Sequence, residues 1–382
     1  MITGMNTEKE DFMKILFTTN SPAPYRVDFF NTLGRSVDLT VSFTARPENI
    51  THRAREWFHE DYENFRSVFL KKRLFSGKFA VYADILPLLK ENWDCIILGS
   101  YSDPTTMLAI EYLRFRRVPF LMEMDGGLIK PDNRLKYRFK RHFISSANAW
   151  LSSGPFTTKY LTHYGADAER CYHYPFTSLW EADIQEGAKA SPEAKAAARR
   201  KIGVTEEKMV LYAGQFVPRK GIDVLLKAAA SFEPNVGVYI VGGGAEIPEE
   251  YLHIQKELSL RNVRFVGFKT KEALRDYYLA ADVFVLPTRE DVWGLVVNEA
   301  LSFGLPVVST ERCVAAVELI RNGENGYIVP VDDHVALANA IRKALNGDAE
   351  RFRQAALDSI RGYSIENMAS RHLEILEAFR SD

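Results

Sequence analysis

The hydrophobic positions of this chain fall into short runs separated by longer amphipathic stretches, and the alternation repeats along most of its length. Lys14–Thr19 and Asp38–Phe43 read as strands, and Asp94–Gly99, Pro119–Met124 and Ala149–Gly154 follow, each an apolar run bounded by turn residues. Arg26–Leu33, Thr105–Phe115 and Leu135–Ile144 carry helical spacing between them. A second series follows: Val210–Phe216, Val236–Gly244, Val263–Phe268, Ala281–Pro287, Pro306–Ser309 and Gly326–Val329. Strands alternating with helices predict βαβ units and parallel sheets covered on both faces. Two series of similar size predict an α/β chain with two Rossmann-like domains facing each other across a cleft. Their expected extents are 1–180 and 181–363. Residues 185–200 are Ala-rich and charged, a helical connector with little sign of a core position. The amphipathic segment 364–382 could cross back to the first domain.

Composition changes this picture little. The 382 residues are 46% hydrophobic and 26% charged with a net charge of −1, the balance of a globular protein and not of a general nucleic-acid binder. Charge is uneven: the first 180 residues carry a small excess of cations and the remainder an excess of acids. Cys95, Cys171 and Cys313 lie far apart without CxxC spacing, which predicts reduced, buried thiols in a cytoplasmic protein. No apolar run approaches the length of a membrane span, and the polar first residues do not read as a signal peptide.

Ligands bind beyond the carboxyl ends of the strands in open parallel sheets, so the chemistry is sought there. Pro287 ends a buried strand, Arg289, Glu290 and Asp291 make a short loop, and Gly294 opens a helix. The first turn of that helix, Leu295 and Val296, leaves backbone N–H groups free to meet an anion. Asp291 ahead of the helix and Glu299 along it are carboxylates suited to the hydroxyls of a sugar and a ribose. Read on its own, the same pattern also fits a crossover helix with one loop acid and one solvated Glu. A second junction, Ala213–Ala228, carries Arg219 and Lys220 in a Pro-containing turn closed by Gly221. Two cations there could neutralise a diphosphate leaving group, or simply be solvated.

Together these motifs resemble the retaining glycosyltransferases of family four, which have the GT-B fold. The family's G-R-x-x-x-x-K-G turn is matched by Gly214, Lys220 and Gly221, with Gln215 at the Arg position. Its paired acids with seven residues between are matched by Asp291 and Glu299. Val241–Glu246 resembles the family's glycine-rich turn, and Glu318–Asp333 the segment that follows the donor site. The resemblance covers most of residues 205–345. It implies that Lys220, helped by Arg219, contacts the nucleotide diphosphate and that amides at Gly294, Leu295 and Val296 hold the distal phosphate. Glu299 would bind the ribose, and Asp291 or Glu290 the donor sugar. Gln215, Gly244 and Phe268 would complete the donor site, with backbone near Phe268 reading the base. Gln215 and Asp291 both depart from the family pattern, which leaves the donor sugar open.

On the first domain, Glu123 and Asp125 stand at a strand end before a Gly-Gly turn, and Asp125 occupies a position resembling the family's His. Asp125 could orient an acceptor hydroxyl or cap the next turn. Asn20 and Arg26 at the first strand's exit join Glu123 as acceptor-side candidates. In a retaining enzyme of this kind the departing phosphate oxygen can take the acceptor proton, so no protein base is required. The resemblance thus implies a hexosyl transfer from a nucleotide diphosphate sugar to a glycan or lipid-linked acceptor, in polysaccharide, lipopolysaccharide or glycolipid assembly.

Several other chemistries are disfavoured. The Gly242–Gly244 run lacks full GxGxxG spacing, which argues against an NAD cofactor. There is no Asp-x-Asp and no ligand spacing among the eight histidines, so neither a metal nor any other cofactor is expected. A non-catalytic nucleotide-sugar-binding homologue, a sugar phosphorylase and a nucleotide-sugar epimerase share the architecture and remain alternatives. Arg134–Ile144 interleaves cations with Leu135, Tyr137, Phe139 and Phe143, and Leu70–Phe75 is similar in kind. Such a surface could rest peripherally on an anionic membrane face, or be a sheet-covering helix with snorkelling cations.

Overall fold

The computed structural model describes residues 12–45, 61–74, 80–243 and 246–381. The chain divides into two units, one running through Phe176 and resuming at Ile365–Asp382, the other spanning Thr177–Ser364.

The first unit holds seven strands: β1 (Lys14–Thr19), β2 (Asp38–Phe43), β3 (Arg66–Phe69), β4 (Cys95–Leu98), β5 (Leu121–Met124), β6 (Ala149–Ser152) and β7 (Cys171–His173). They form one parallel sheet in the order β3-β2-β1-β4-β5-β6-β7. Two of them, β3 and β7, escape the hydrophobic pattern. Both lie at sheet edges, where one side needs no apolar cover, and RSVF and CYH are short and mixed in polarity. The predicted helices form as Pro24–Leu33, Pro104–Arg116 and Arg134–Ile144. Pro at the first turn and the Asp103 and Asn133 side chains, which accept from the Thr106 and Lys136 amides, explain where two of them start. The C-terminal helix Ile365–Ser381 buries Met368, Ala369, His372, Ile375 and Leu376 within this unit.

The second unit holds β8 (Lys208–Gly214), β9 (Val236–Gly242), β10 (Val263–Val266), β11 (Val283–Leu286), β12 (Val307–Thr310) and β13 (Gly326–Val329), parallel in the order β10-β9-β8-β11-β12-β13. All four residues of β11 are fully buried, as expected of a central parallel strand covered on both faces. Residues 185–200 are not a mere connector. The helices Glu181–Ala188 and Pro192–Ile202 bury Ile184, Gly187 and Ala198. Gly187 packs so closely that a Cβ would lie 2.1 Å from the Ser302 carbonyl oxygen. Lys195 and Arg199 both pair with Asp282 ahead of β11, at 2.6 and 3.1 Å. The charges that made this stretch look solvated therefore clamp it to the second sheet.

Cys95 and Cys313 are buried free thiols, whereas Cys171 is half-buried on the edge strand and donates to the Asp167 carbonyl. Among the described residues no helix is long and apolar enough to cross a membrane.

Candidate active site

Each sheet reverses its strand order once, between β1 and β4 in the first unit and between β8 and β11 in the second. Loops leaving the strands on either side of such a reversal diverge and open a crevice at the carboxyl edge. Lys220 follows β8 and Asp291 follows β11, and at the second reversal the two side chains meet in an ion pair. Lys220 is only 8% exposed, so it is not a solvated surface cation. Arg219, its side chain half exposed at 49%, lies 3.8 Å from the other Asp291 oxygen and donates to the Glu290 carbonyl.

Local geometry explains how the two loops come so close. Gly221 adopts a left-handed φ of +70°, and a Cβ there would stand 2.0 Å from the Pro287 carbonyl oxygen. The Arg289 amide and the Thr288 hydroxyl both donate to the Arg219 carbonyl, at 2.7 and 2.9 Å. Arg289, grouped with the acids when the loop is read as sequence, is the clamp of this junction. It makes a two-pronged pair with Asp223 at 2.9 and 2.7 Å and a third contact with Asp332 at 2.7 Å. The far side of the loop is pinned by the segment after β12. The Asp291 amide donates to the Arg312 carbonyl, Val314 N–H donates to Asp291, and the Thr310 hydroxyl donates to the Thr288 carbonyl.

Gly294 then caps the helix Leu295–Ser302 at φ +105°, a conformation closed to most side chains, with Cys313 Sγ 2.8 Å from where a Cβ would be. Burial pushes the Cys313 thiol up to about 12, so it stays protonated and donates to the Trp293 carbonyl. Leu295 and Val296, half-buried in the first turn, have N–H groups with no intrahelical acceptor. Glu299 lies along the helix and accepts from the Tyr278 hydroxyl at 2.9 Å and the Ser178 hydroxyl at 3.2 Å. Burial raises its carboxyl above the usual range, against the lowering effect of those hydrogen bonds and of Lys271.

The remaining donor-side candidates lie on the same carboxyl edge. Gln215 follows β8, its carbonyl held by the Tyr212 hydroxyl at 3.0 Å. Phe268 follows β10 and is exposed, beside an open Gly267. Glu290 contributes its carbonyl to Arg219 and Thr288, and its carboxylate lies 4.0 Å from Arg312. Gly244 lies outside the described residues.

In the first unit the acceptor-side candidates are brought together, but not as free groups. Arg26 is buried and pairs with both Glu123, at 2.5 Å, and Asp125. Glu123 is fully buried, so it has no surface to offer an acceptor, which corrects the direct role expected of it. Arg26 is likewise engaged inside the fold and is not presented to a phosphate. Burial alone would raise the Glu123 carboxyl, but Arg26 and His372 outweigh it and hold it at about 2. Asp125, with 27% of its side chain exposed, is the member that reaches the surface. Burial raises its carboxyl, opposed by Arg26 and reinforced by Glu123. Asn20 is exposed at the exit of β1 and accepts from the Ser21 amide at 2.8 Å.

Tyr278, Ser178, Thr288 and the Thr310–Val314 segment are the contributors that motif reading misses on the second unit. Tyr174 and His372 are those on the first. His372 had a usable signal, since it follows Met368 by one turn on the apolar face of its helix.

Comparison with known proteins bears on the same residues. Residues 194–358 match the family described as glycosyl transferases group 1. A D-inositol 3-phosphate glycosyltransferase from Nocardioides sp. is 32% identical over 212 residues, 50% of this chain and 46% of its own length. The chain thus spans about half the length of the curated relatives it matches. HepE from Anabaena in complex with UDP superposes with a TM-score of 0.77 at 19% identity, covering 96% of this chain and 100% of its own. Its complex with UDP-glucose gives 0.73 at 20% identity, with 97% and 100% covered. At that identity the likeness establishes the fold, two parallel-sheet α/β units of the GT-B type. Residues 194–358 are therefore similar to the group 1 glycosyl transferases, on a chain with the GT-B fold.

Proposed function

We propose that this chain transfers a hexosyl group from a nucleotide diphosphate sugar to an acceptor hydroxyl with retention of anomeric configuration. The observation that carries the reading is the meeting of Lys220 and Asp291 at the strand-order reversal of the second sheet, beside the amino end of Leu295–Ser302. A diphosphate placed there would find a buried ammonium, the half-exposed Arg219 guanidinium and two helix amides, which stabilise the charge developing on a departing phosphate. Asp291 would turn to the donor sugar once the phosphate claims Lys220. Glu299 would accept from the ribose, in place of or alongside Tyr278 and Ser178, and Phe268 would border the base. The structures of HepE hold UDP and UDP-glucose, which supports a uridine donor.

The acceptor would be handled by the first unit, with Asp125 orienting its hydroxyl and the leaving phosphate taking its proton. A lipid-linked or polysaccharide acceptor is favoured by the surface of the helix Arg134–Ile144. There Leu135 and Phe139 are exposed among cations, and Phe115 at the end of Pro104–Arg116 is 85% exposed. Such a face suits peripheral contact with anionic lipid.

Incubation with a panel of UDP- and GDP-sugars, following nucleotide release and the anomeric configuration of the product by NMR, tests the reading. Release of UDP with a retained α or β linkage is expected, unchanged by EDTA. Stabilisation by nucleotide sugars without release would favour a binding module, and phosphate-dependent glycan cleavage a phosphorylase.

A further inference from the structure

Arg26, Glu123, Asp125, Tyr174 and His372 form a polar cluster inside the first unit, and only Asp125 has been given a task. His372 is fully buried on the C-terminal helix. Its Nδ1 lies 2.7 Å from the Met368 carbonyl oxygen and its Nε2 3.0 Å from Glu123 Oε2. An ionised Glu123 makes both partners acceptors, so the ring must donate from both nitrogens. A neutral ring would set a lone pair against one of the two, the Met368 carbonyl or the carboxylate. With both nitrogens protonated, Arg26 and His372 balance Glu123 and Asp125, and the cluster is neutral as a whole, the condition under which several charges tolerate burial.

The contacts run in one direction. His372 Nε2 faces Oε2 of Glu123, Arg26 Nη1 stands 2.5 Å from Oε1 as an ion pair, and Arg26 Nη2 reaches on to Asp125. The Tyr174 hydroxyl lies 3.0 Å from Asp125 Oδ1 and 3.3 Å from Glu123 Oε1, and its single proton serves one of them at a time. The rings of Phe29 and Tyr174 each stand 4.6 Å from the imidazole, centroid to centroid, which fixes the ring's tilt. Arg26 in turn lies 5.3 Å from the Phe176 ring. The groups facing this cluster are thus Arg26, Tyr25 and Phe29 from the first helix, Glu123 and Asp125 from the end of β5, and Tyr174 from the loop after β7.

We infer that His372 is a positioning residue: the C-terminal helix, through His372, Glu123 and Arg26, sets the orientation of the Asp125 carboxylate. This rests on the reading of Asp125 as the group that meets the acceptor. It makes the last helix part of the reaction machinery, although none of its side chains need touch a substrate.

Two measurements test it on the full chain. Nitrogen-15 NMR of the histidine rings at neutral pH should show two N–H groups on His372, and Glu123→Gln should reduce them to one. A ring without a proton on Nε2 in the unsubstituted protein overturns the inference, whether or not any variant folds. Steady-state kinetics with whichever nucleotide sugar the panel selects give the second test. His372→Gln should lower kcat for transfer by roughly tenfold, leaving UDP affinity measured by calorimetry unchanged. Wild-type turnover in His372→Gln also overturns it, as does a loss of UDP affinity in step with kcat, which would mark general damage. If no sugar nucleotide is turned over by the wild type, the transferase reading and the positioning role fall together, while a doubly protonated ring would still establish the buried pair.

Discussion

Both sheets place a cation from the segment after their first strand against acids at or just beyond the end of a later strand. Lys220 meets Asp291 in the second unit, and Arg26 meets Glu123 and Asp125 in the first. The surroundings differ. Beside Lys220 the structure leaves helix amides and the half-exposed Arg219, so the pair can exchange its partner for an anion. Around Arg26 the polar groups are paired with one another, and His372 from the C-terminal helix completes them. On the proposed reading, the same topological device is a ligand site in one unit and a closed scaffold for one half-buried carboxylate in the other. If that contrast is right, substitutions at the two cations should have opposite profiles, stability in one case and turnover in the other.

The largest effect is expected at the closed site. Arg26→Met removes the shared partner of two carboxylates, and breaking such a buried pair costs about 3–5 kcal/mol. Thermal and urea unfolding should register that loss while calorimetry shows UDP binding by the folded protein unchanged. Equal stability with lost UDP binding would make Arg26 a ligand residue and erase the contrast. Lys220→Ala should do the reverse. Removing one preorganised donor to a developing oxyanion lowers kcat by about 10²–10³. Folding should be retained, because Arg219 at 3.8 Å still offers Asp291 a counter-charge. Nucleotide release and a melting curve on the same sample decide it.

The two regions also differ in how readable they were. Sequence pattern locates β8 to β13 because central parallel strands such as VFVL are apolar throughout. Asp291, Lys220 and Gly221 are legible because spacing and a left-handed turn leave marks on local sequence. The partners of Glu299 and Glu123 leave none. Tyr278 lies 21 residues from Glu299, and His372 lies 249 from Glu123, so only the folded chain pairs them. The edge strands β3 and β7 were hidden for another reason: half of each needs no apolar cover. Residues 185–200 misled because their charges find partners in Asp282 instead of solvent.

A smaller effect sharpens the donor side. Burial raises the Glu299 carboxyl, so donor affinity that depends on its ionised form should fall as pH drops toward that raised value. Glu299→Gln should weaken donor binding by roughly tenfold at neutral pH, the loss of one charged acceptor, and remove the pH dependence. Affinity of the variant that still follows pH would assign the titration to another group.

The smallest effect separates the two units by acid. Glu123 is held at about 2, below its unfolded value, so its contribution to stability is complete above the ordinary carboxylate range and is lost as pH falls toward about 2. Asp125 runs the other way: its raised carboxyl favours the folded state when protonated, below its unfolded value, and that advantage disappears as pH rises through the folded one. The two oppose one another, so the net acid loss from this cluster is smaller than the Glu123 contribution alone. Glu123→Gln removes the first contribution and weakens the second, since the Glu123 charge itself helps raise Asp125. Between pH 6 and pH 3, taken as roughly the span over which carboxylates titrate, the stability gap between wild type and Glu123→Gln should therefore narrow. A gap that widens through that span would mean Glu123 is protonated in the folded protein, and the buried proton would then belong to Glu123 and not to His372.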